Sequence, residues 1–201
     1  MEKRFNQKKL LKITFIVALV ILLLFSGMIF FSPYGNAEGF SYKLIKNEIT
    51  INAPLDSVYK FLGNSGNTPK WSVYVDHITP LNPEEFKDGT VGSRRRCFCY
   101  PDEKGRRWDE LITEVVPLKK RQLIIYNMIE FPLEAEGLTT EQNYEKLDER
   151  SCKLIFQVFY KDKKPGFAEL IKTYFAAYFI SDIFEKNMEN IKRVNESGAN
   201  D

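Results

Sequence analysis

Nineteen consecutive residues without a charge, ITFIVALVILLLFSGMIFF from Ile13 to Phe31, constrain this chain more than any other stretch. As an α-helix they would extend about 28 Å, close to the hydrocarbon thickness of a bilayer. Ahead of them stand Lys3, Arg4, Lys8, Lys9 and Lys12 against Glu2 alone. That bias keeps the N-terminus in the cytoplasm and sends everything after Phe31 across the membrane. A cleaved signal peptide is the competing reading, with Gly35 and Ala37 as small residues before a cut. Its apolar core would run only about 7 to 15 residues, which favours a retained anchor.

The chain then divides into a basic leader (1–12), a membrane span (13–31), a linker (32–43), a folded domain (44–196) and a short tail (197–201). SPYGNAEGFS, Ser32 to Ser41, has no periodic apolar pattern and would span about 17 Å if flexible. The whole chain carries +2, of which the leader contributes +4, so the remainder is −2. A slightly acidic domain is a poor partner for nucleic acid, whose binding rests on neutralising many phosphates.

One motif invites metal or phosphate chemistry: RRRCFC, Arg94 to Cys99. Zinc wants four nitrogen or sulfur ligands, and the chain offers Cys97, Cys99, Cys152 and a single histidine, His77, in no finger-like spacing. Three cysteines do not make a disulfide framework. A Cys97–Cys99 bridge is also awkward, since alternate strand residues lie about 7 Å apart. No metal and no cofactor is therefore assigned. Read as a strand, the motif puts Arg95, Cys97 and Cys99 on one face and Arg94, Arg96, Phe98 and Tyr100 on the other. The burial preference of cysteine turns the first set inward.

The domain itself has a legible order. LIKNEITINAP alternates at period two and stops at Pro54; PLDSVYKFLGN and TPKWSVYV follow at helical spacing. Six strands come next, over Ile78–Leu81, Val91–Tyr100, Trp108–Val116, Gln122–Ile129, Thr140–Leu147 and Lys153–Lys161, separated by short turns that imply antiparallel hairpins. From Pro165 to Asn195 apolar and aromatic residues recur at spacings of three and four, a long amphipathic helix. A sheet with one apolar face needs such a cover.

That order resembles the α+β START-like, or helix-grip, fold, which implies a curved antiparallel sheet of six to seven strands wrapped around a long C-terminal helix, here behind one N-terminal transmembrane helix. Its residues agree. ITINAPLDSVYKFLGNSGNTPKW, DGTVGSRRRCF with Gly89 and Gly92, and WDELITEVVP resemble the SRPBCC superfamily, in its polyketide cyclase/dehydrase and lipid-transport group. The resemblance covers about Leu44 to Asn195. It implies an apolar cavity between sheet and helix, but no catalytic residue, because the superfamily shares no single catalytic set.

The expected function is binding of a hydrophobic or amphiphilic small molecule, such as a lipid, beside the membrane. The expected lining is Trp71, Tyr126, Tyr144, Phe156, Tyr174 and Tyr178, with Arg95, Glu110 and Gln142 as polar fixers. A buried guanidinium needs a partner, and Glu110, on the face of Trp108 and Ile112, is the natural one for Arg95. A cyclase or dehydrase would instead gather His77, Glu110 and Tyr144 around one point. A module that binds no small molecule would fill the cavity with its own side chains and carry an apolar patch outside.

Overall fold

A computed structural model describes residues 2–133, 137–162 and 164–197. The middle of the turn expected over 131–138 and the tail beyond Ser197 lie outside the described residues. Two compact units are present, Met1–Ser32 and Pro33–Asp201. The first is helix α1 (Glu2–Phe30), in which Gln7–Phe30 contains an 18-residue window of mean hydropathy 2.9 and is long and apolar enough to cross a membrane.

The second unit opens with strand β1 (Leu44–Ile51), helix α2 (Leu55–Gly63), a 3-10 turn (Ser65–Asn67) and helix α3 (Thr68–Trp71). Strands β2 (His77–Pro80), β3 (Arg94–Phe98), β4 (Arg107–Val116), β5 (Lys120–Ile129), β6 (Leu138–Lys146) and β7 (Cys152–Tyr160) follow, then helix α4 (Phe167–Ser197). All seven strands form one antiparallel sheet in the order β1-β7-β6-β5-β4-β3-β2. Consecutive hairpins account for every pairing except β1 with β7, so α2 and α3 carry the chain from one edge of the sheet to the other. Two register shifts bend the β4–β5 pair, one of them at Asn127, whose φ of 52° marks the extra residue.

Local chemistry explains the boundaries. Pro54 opens α2, its carbonyl accepting from Val58 N at 3.2 Å, whereas β1 stops earlier, at Ile51, after which Asn52 N donates to Glu196 Oε1. Helix α3 is shorter than the spacing of TPKWSVYV predicts. Ser72 is extended; its Oγ accepts from the backbone N–H groups of Tyr74 and Val75, while Asn187 Oδ1 on α4 takes that of Val73 at 2.8 Å. These competing acceptors stop the helix at Trp71 and tie the Ser72–Val75 segment to α4.

Helix α4 lies over β1 and α3 and closes the concave face. Ile51, Val58, Leu154, Phe156, Met188 and Ile191 form the core at the α2 end. Each such large side chain contributes about 1.5–3 kcal/mol on leaving water. The segment read as a linker is packed instead. Tyr34 is buried against Tyr174, Gly35 pairs with Leu44, and Tyr42 stacks on Phe159 at 4.6 Å. Phe159 sits on the outer face of β7, and the returning chain gives that apolar position its cover.

Candidate functional site

Between the concave face of the sheet, α3 with the segment after it, and α4 lies a cavity of about 310 Å³, a size usual for small-molecule sites. Its wall follows from strand alternation. Leu123 and Ile125 of β5, Thr140 and Gln142 of β6, and Phe156 and Val158 of β7 point inward, as do Arg95, Cys97, Trp108 and Glu110 of β3 and β4. Ile180, Ile183 and Phe184 of α4 form the opposite wall.

One end is aromatic and reaches solvent. Tyr74 stacks on Trp108, Phe131 meets Trp108 edge-on at 5.8 Å, and Phe179 meets Tyr74 edge-on at 5.9 Å. Phe179 is 54% exposed, and neighbouring Val73 49%. Towards α2 the wall becomes polar. Arg95 Nε donates to Glu110 Oε2 at 2.7 Å, and Trp108 Nε1 donates to Glu110 Oε1 at 2.9 Å. Arg95 Nη1 donates to Ser65 Oγ, which in turn donates to Asp88 Oδ1 at 2.8 Å. Burial disfavours the charge on Arg95, but the Glu110 carboxylate outweighs it and holds the guanidinium pKa above its ordinary value. Burial, reinforced by Glu110, pushes the Cys97 thiol well up, so this cysteine is a small apolar wall group rather than a nucleophile. Cys99, half-buried, is pushed up to about 11 by burial.

Of the residues singled out from sequence, Trp71, Arg95, Glu110, Gln142 and Phe156 line this cavity. Four do not. Tyr126 lies opposite Asp109 on the convex face, where the Asn127 bulge places two successive residues outward. Tyr144 points inward but beyond the cavity, packed edge-on to Tyr59 of α2 at 5.1 Å. Tyr174 packs against Tyr34 and accepts from Lys43 Nζ, so the chain entering β1 occupies it. Tyr178 is on the solvent side of α4, 37% exposed.

Sequence reading missed Tyr74, Phe131, Phe179, Asn187 and Arg121. Phe131 sits in a connection without periodicity, and Arg121 at a strand start looks like a surface charge until α2 covers it. Trp108 shares the period-two face of Glu110, a signal that was available. His77, Glu110 and Tyr144 share no common point: His77 lies outside the cavity, stacked on Phe98 at 4.9 Å and bonded to Asp76 Oδ2 at 2.8 Å. Among the described residues no three of His, Cys, Asp or Glu gather as a metal site would require.

The same architecture recurs in solved structures of low sequence identity. XoxI from Bacillus cereus superposes with a TM-score of 0.55 at 12% identity, covering 76% of this chain and 94% of that one. A START superfamily protein from Mycobacterium smegmatis gives 0.57 at 10% identity, over 77% and 97% of the two chains. A norcoclaurine synthase point mutant from Thalictrum, solved with a transition state analogue, gives 0.54 at 14% identity, over 78% and 96%. No curated protein matches the sequence. The family model for polyketide cyclase / dehydrase and lipid transport matches residues 44–196. With that match over three quarters of its length, and with a START-like sheet and helix, the chain belongs to the polyketide cyclase/dehydrase and lipid-transport family of the SRPBCC superfamily.

Proposed function

We propose that this protein is a membrane-anchored binding protein whose domain, residues 44–196, takes a hydrophobic or amphiphilic small molecule, with lipid as the leading class, into the cavity under α4. The observation that carries this reading is the cavity itself: a space of about 310 Å³ walled by aliphatic and aromatic side chains with a few convergent polar groups. Its volume also speaks against a module that fills its interior with its own side chains. The scattering of His77, Glu110 and Tyr144 favours binding over proton transfer by that set.

An anchor supports the same reading, because a tether keeps the cavity beside the phase from which an apolar ligand partitions. The uncharged run exceeds a signal-peptide core in length, and its basic leader favours an N-terminus in the cytoplasm with the domain on the other side.

Full-length protein purified in mild detergent and analysed by native mass spectrometry is expected to carry a co-purifying amphiphile, and to take up a fluorescent lipid when stripped. Absence of both ends the binding reading. Resistance of the protein to alkaline carbonate extraction, and labelling of a Cys99-only variant in intact cells by an impermeant thiol reagent after unfolding, test anchor and side. Extraction into the soluble fraction would instead establish a cleaved leader.

A further inference from the structure

A second arginine lies under the cavity and is less well provided for than Arg95. Arg121 of β5 is 4% exposed. Its guanidinium carbon lies 4.8 Å from the centre of the Tyr59 ring, and its Nη2 occupies the space a side chain at Gly63 would need. Nη1 reaches Gln142 Oε1 at 3.2 Å and Tyr144 Oη at 3.3 Å, while Nε is buried with no acceptor. No carboxylate pairs with this cation among the described residues. A buried charge without a counter-ion is costly, and an aromatic face and neutral oxygens offset only part of it.

Gln142 connects that charge to the cavity. Arg121 and Gln142 are directly opposite in the β5–β6 register. Gln142 Oε1 accepts from Arg121 and also from Tyr144 Oη, at 2.5 Å. Two donors on the oxygen fix the amide, so its NH2 points the other way. Gln142 lines the cavity, and its Nε2 has no hydrogen bond within the protein and is not sealed from the space. Two residues earlier on the same face, Thr140 also lines the cavity with an unpaired hydroxyl. These two side chains stand about 7 Å apart along β6, a separation that the oxygens of one carboxylate can bridge. Polarisation by the cation behind it makes the amide a stronger donor.

Resting on the cavity-binding reading above, we propose that Gln142 and Thr140 form the polar pole of the site and receive the carboxylate of an acyl-chain ligand. Arg121 and Tyr144 act as positioning residues that hold the Gln142 amide donor-outward and supply the unopposed positive charge. The apolar body of the ligand then lies along Ile125, Val158, Ile180 and Phe184, towards the aromatic end at Trp108 and Phe179. Arg95 is left out of this pole, since Glu110 already neutralises it.

Both tryptophans of the chain, Trp71 and Trp108, line the cavity, so their fluorescence reports on its contents. Full-length protein in amphipol, stripped of lipid, is titrated with ω-bromododecanoate and with ω-bromododecanol, whose bromine quenches indole emission. Wild type is expected to bind the acid about tenfold or more tightly than the alcohol, as charge-assisted hydrogen bonds provide. Gln142→Glu keeps an acceptor for Arg121 and Tyr144, and so the fold, but turns the cavity-facing atom from donor to acceptor. It is expected to abolish the preference for the acid while alcohol binding persists. Thr140→Val should weaken acid binding to a smaller extent. An unchanged acid-to-alcohol ratio in Gln142→Glu, or equal binding of the two probes by wild type, overturns the carboxylate pole while leaving the cavity-binding reading intact. Quenching by neither probe overturns that underlying reading as well.

Discussion

Arg95 Nε donates to Glu110 Oε2 at 2.7 Å from the directly opposing position on the neighbouring strand, and both side chains face the cavity. The pair is almost fully withdrawn from water, with side-chain exposures of 11% and 10%. Glu110 also accepts from Trp108 Nε1, so one carboxylate satisfies two cavity-wall donors.

Removing one member of this pair should therefore hurt far more than removing both. Glu110→Leu strands the guanidinium and the indole N–H and is expected to cost about 3–5 kcal/mol. Adding Arg95→Met to that variant removes the orphaned charge and should recover much of the loss. Urea unfolding of the two single variants and the double variant measures the coupling; additive losses would show that the pair is not coupled.

Filling the cavity separates binding from folding. Val158→Phe adds a ring at a buried cavity-lining position. In a close-packed core such enlargement costs about 1–3 kcal/mol. Here the added atoms enter open space, so the thermal midpoint should stay level or rise while uptake of a fluorescent lipid falls sharply. A falling midpoint would show that the ring cannot enter the space.

The turn leading into β3 depends on backbone that only glycine supplies. Gly89 has φ +80°, and a Cβ there would sit 2.7 Å from the carbonyl oxygen of Gly63 at the end of α2. Gly89→Ala is expected to lose more than about 1–2 kcal/mol, the left-handed cost alone, because backbone on the other side has nowhere to move. Thermal unfolding checks this, with Gly35→Ala, at an open position in the ordinary region, as a near-neutral comparison.

His77 introduces a modest pH dependence. Its hydrogen bond to Asp76, with a second to Glu103, raises its pKa above the usual value. A raised folded-state pKa contributes stability that is fully present below the unfolded value of about 6.5 and is lost as pH rises through the folded value. The ring is partly exposed, so the contribution stays below about 1 kcal/mol. Denaturation midpoints should fall slightly between mildly acidic and mildly alkaline pH, and His77→Gln should flatten that slope.

Much of this protein could be read from local pattern. The uncharged run at Ile13–Phe31 marks a helix of membrane length, because length and hydropathy are properties of the segment alone. Period-two alternation separated Arg95 and Cys97 from Arg94 and Arg96 on β3, and the burial preference of cysteine turned the first pair inward, where both line the cavity. Short turns implied the meander that the sheet order displays. What alternation cannot say is what each inward side chain meets. Gln142 and Tyr144 share one face of β6, yet Gln142 borders open space and Tyr144 lies in packed core, because α2 covers only the far end of the strand. The same covering turns Arg121, by sequence an ordinary surface charge beside a turn, into a buried cation behind the cavity wall. Strand phase is set by bonds between neighbours in sequence; the division of a concave face into core and cavity is set by which distant helix lies over it, and that only the tertiary structure decides.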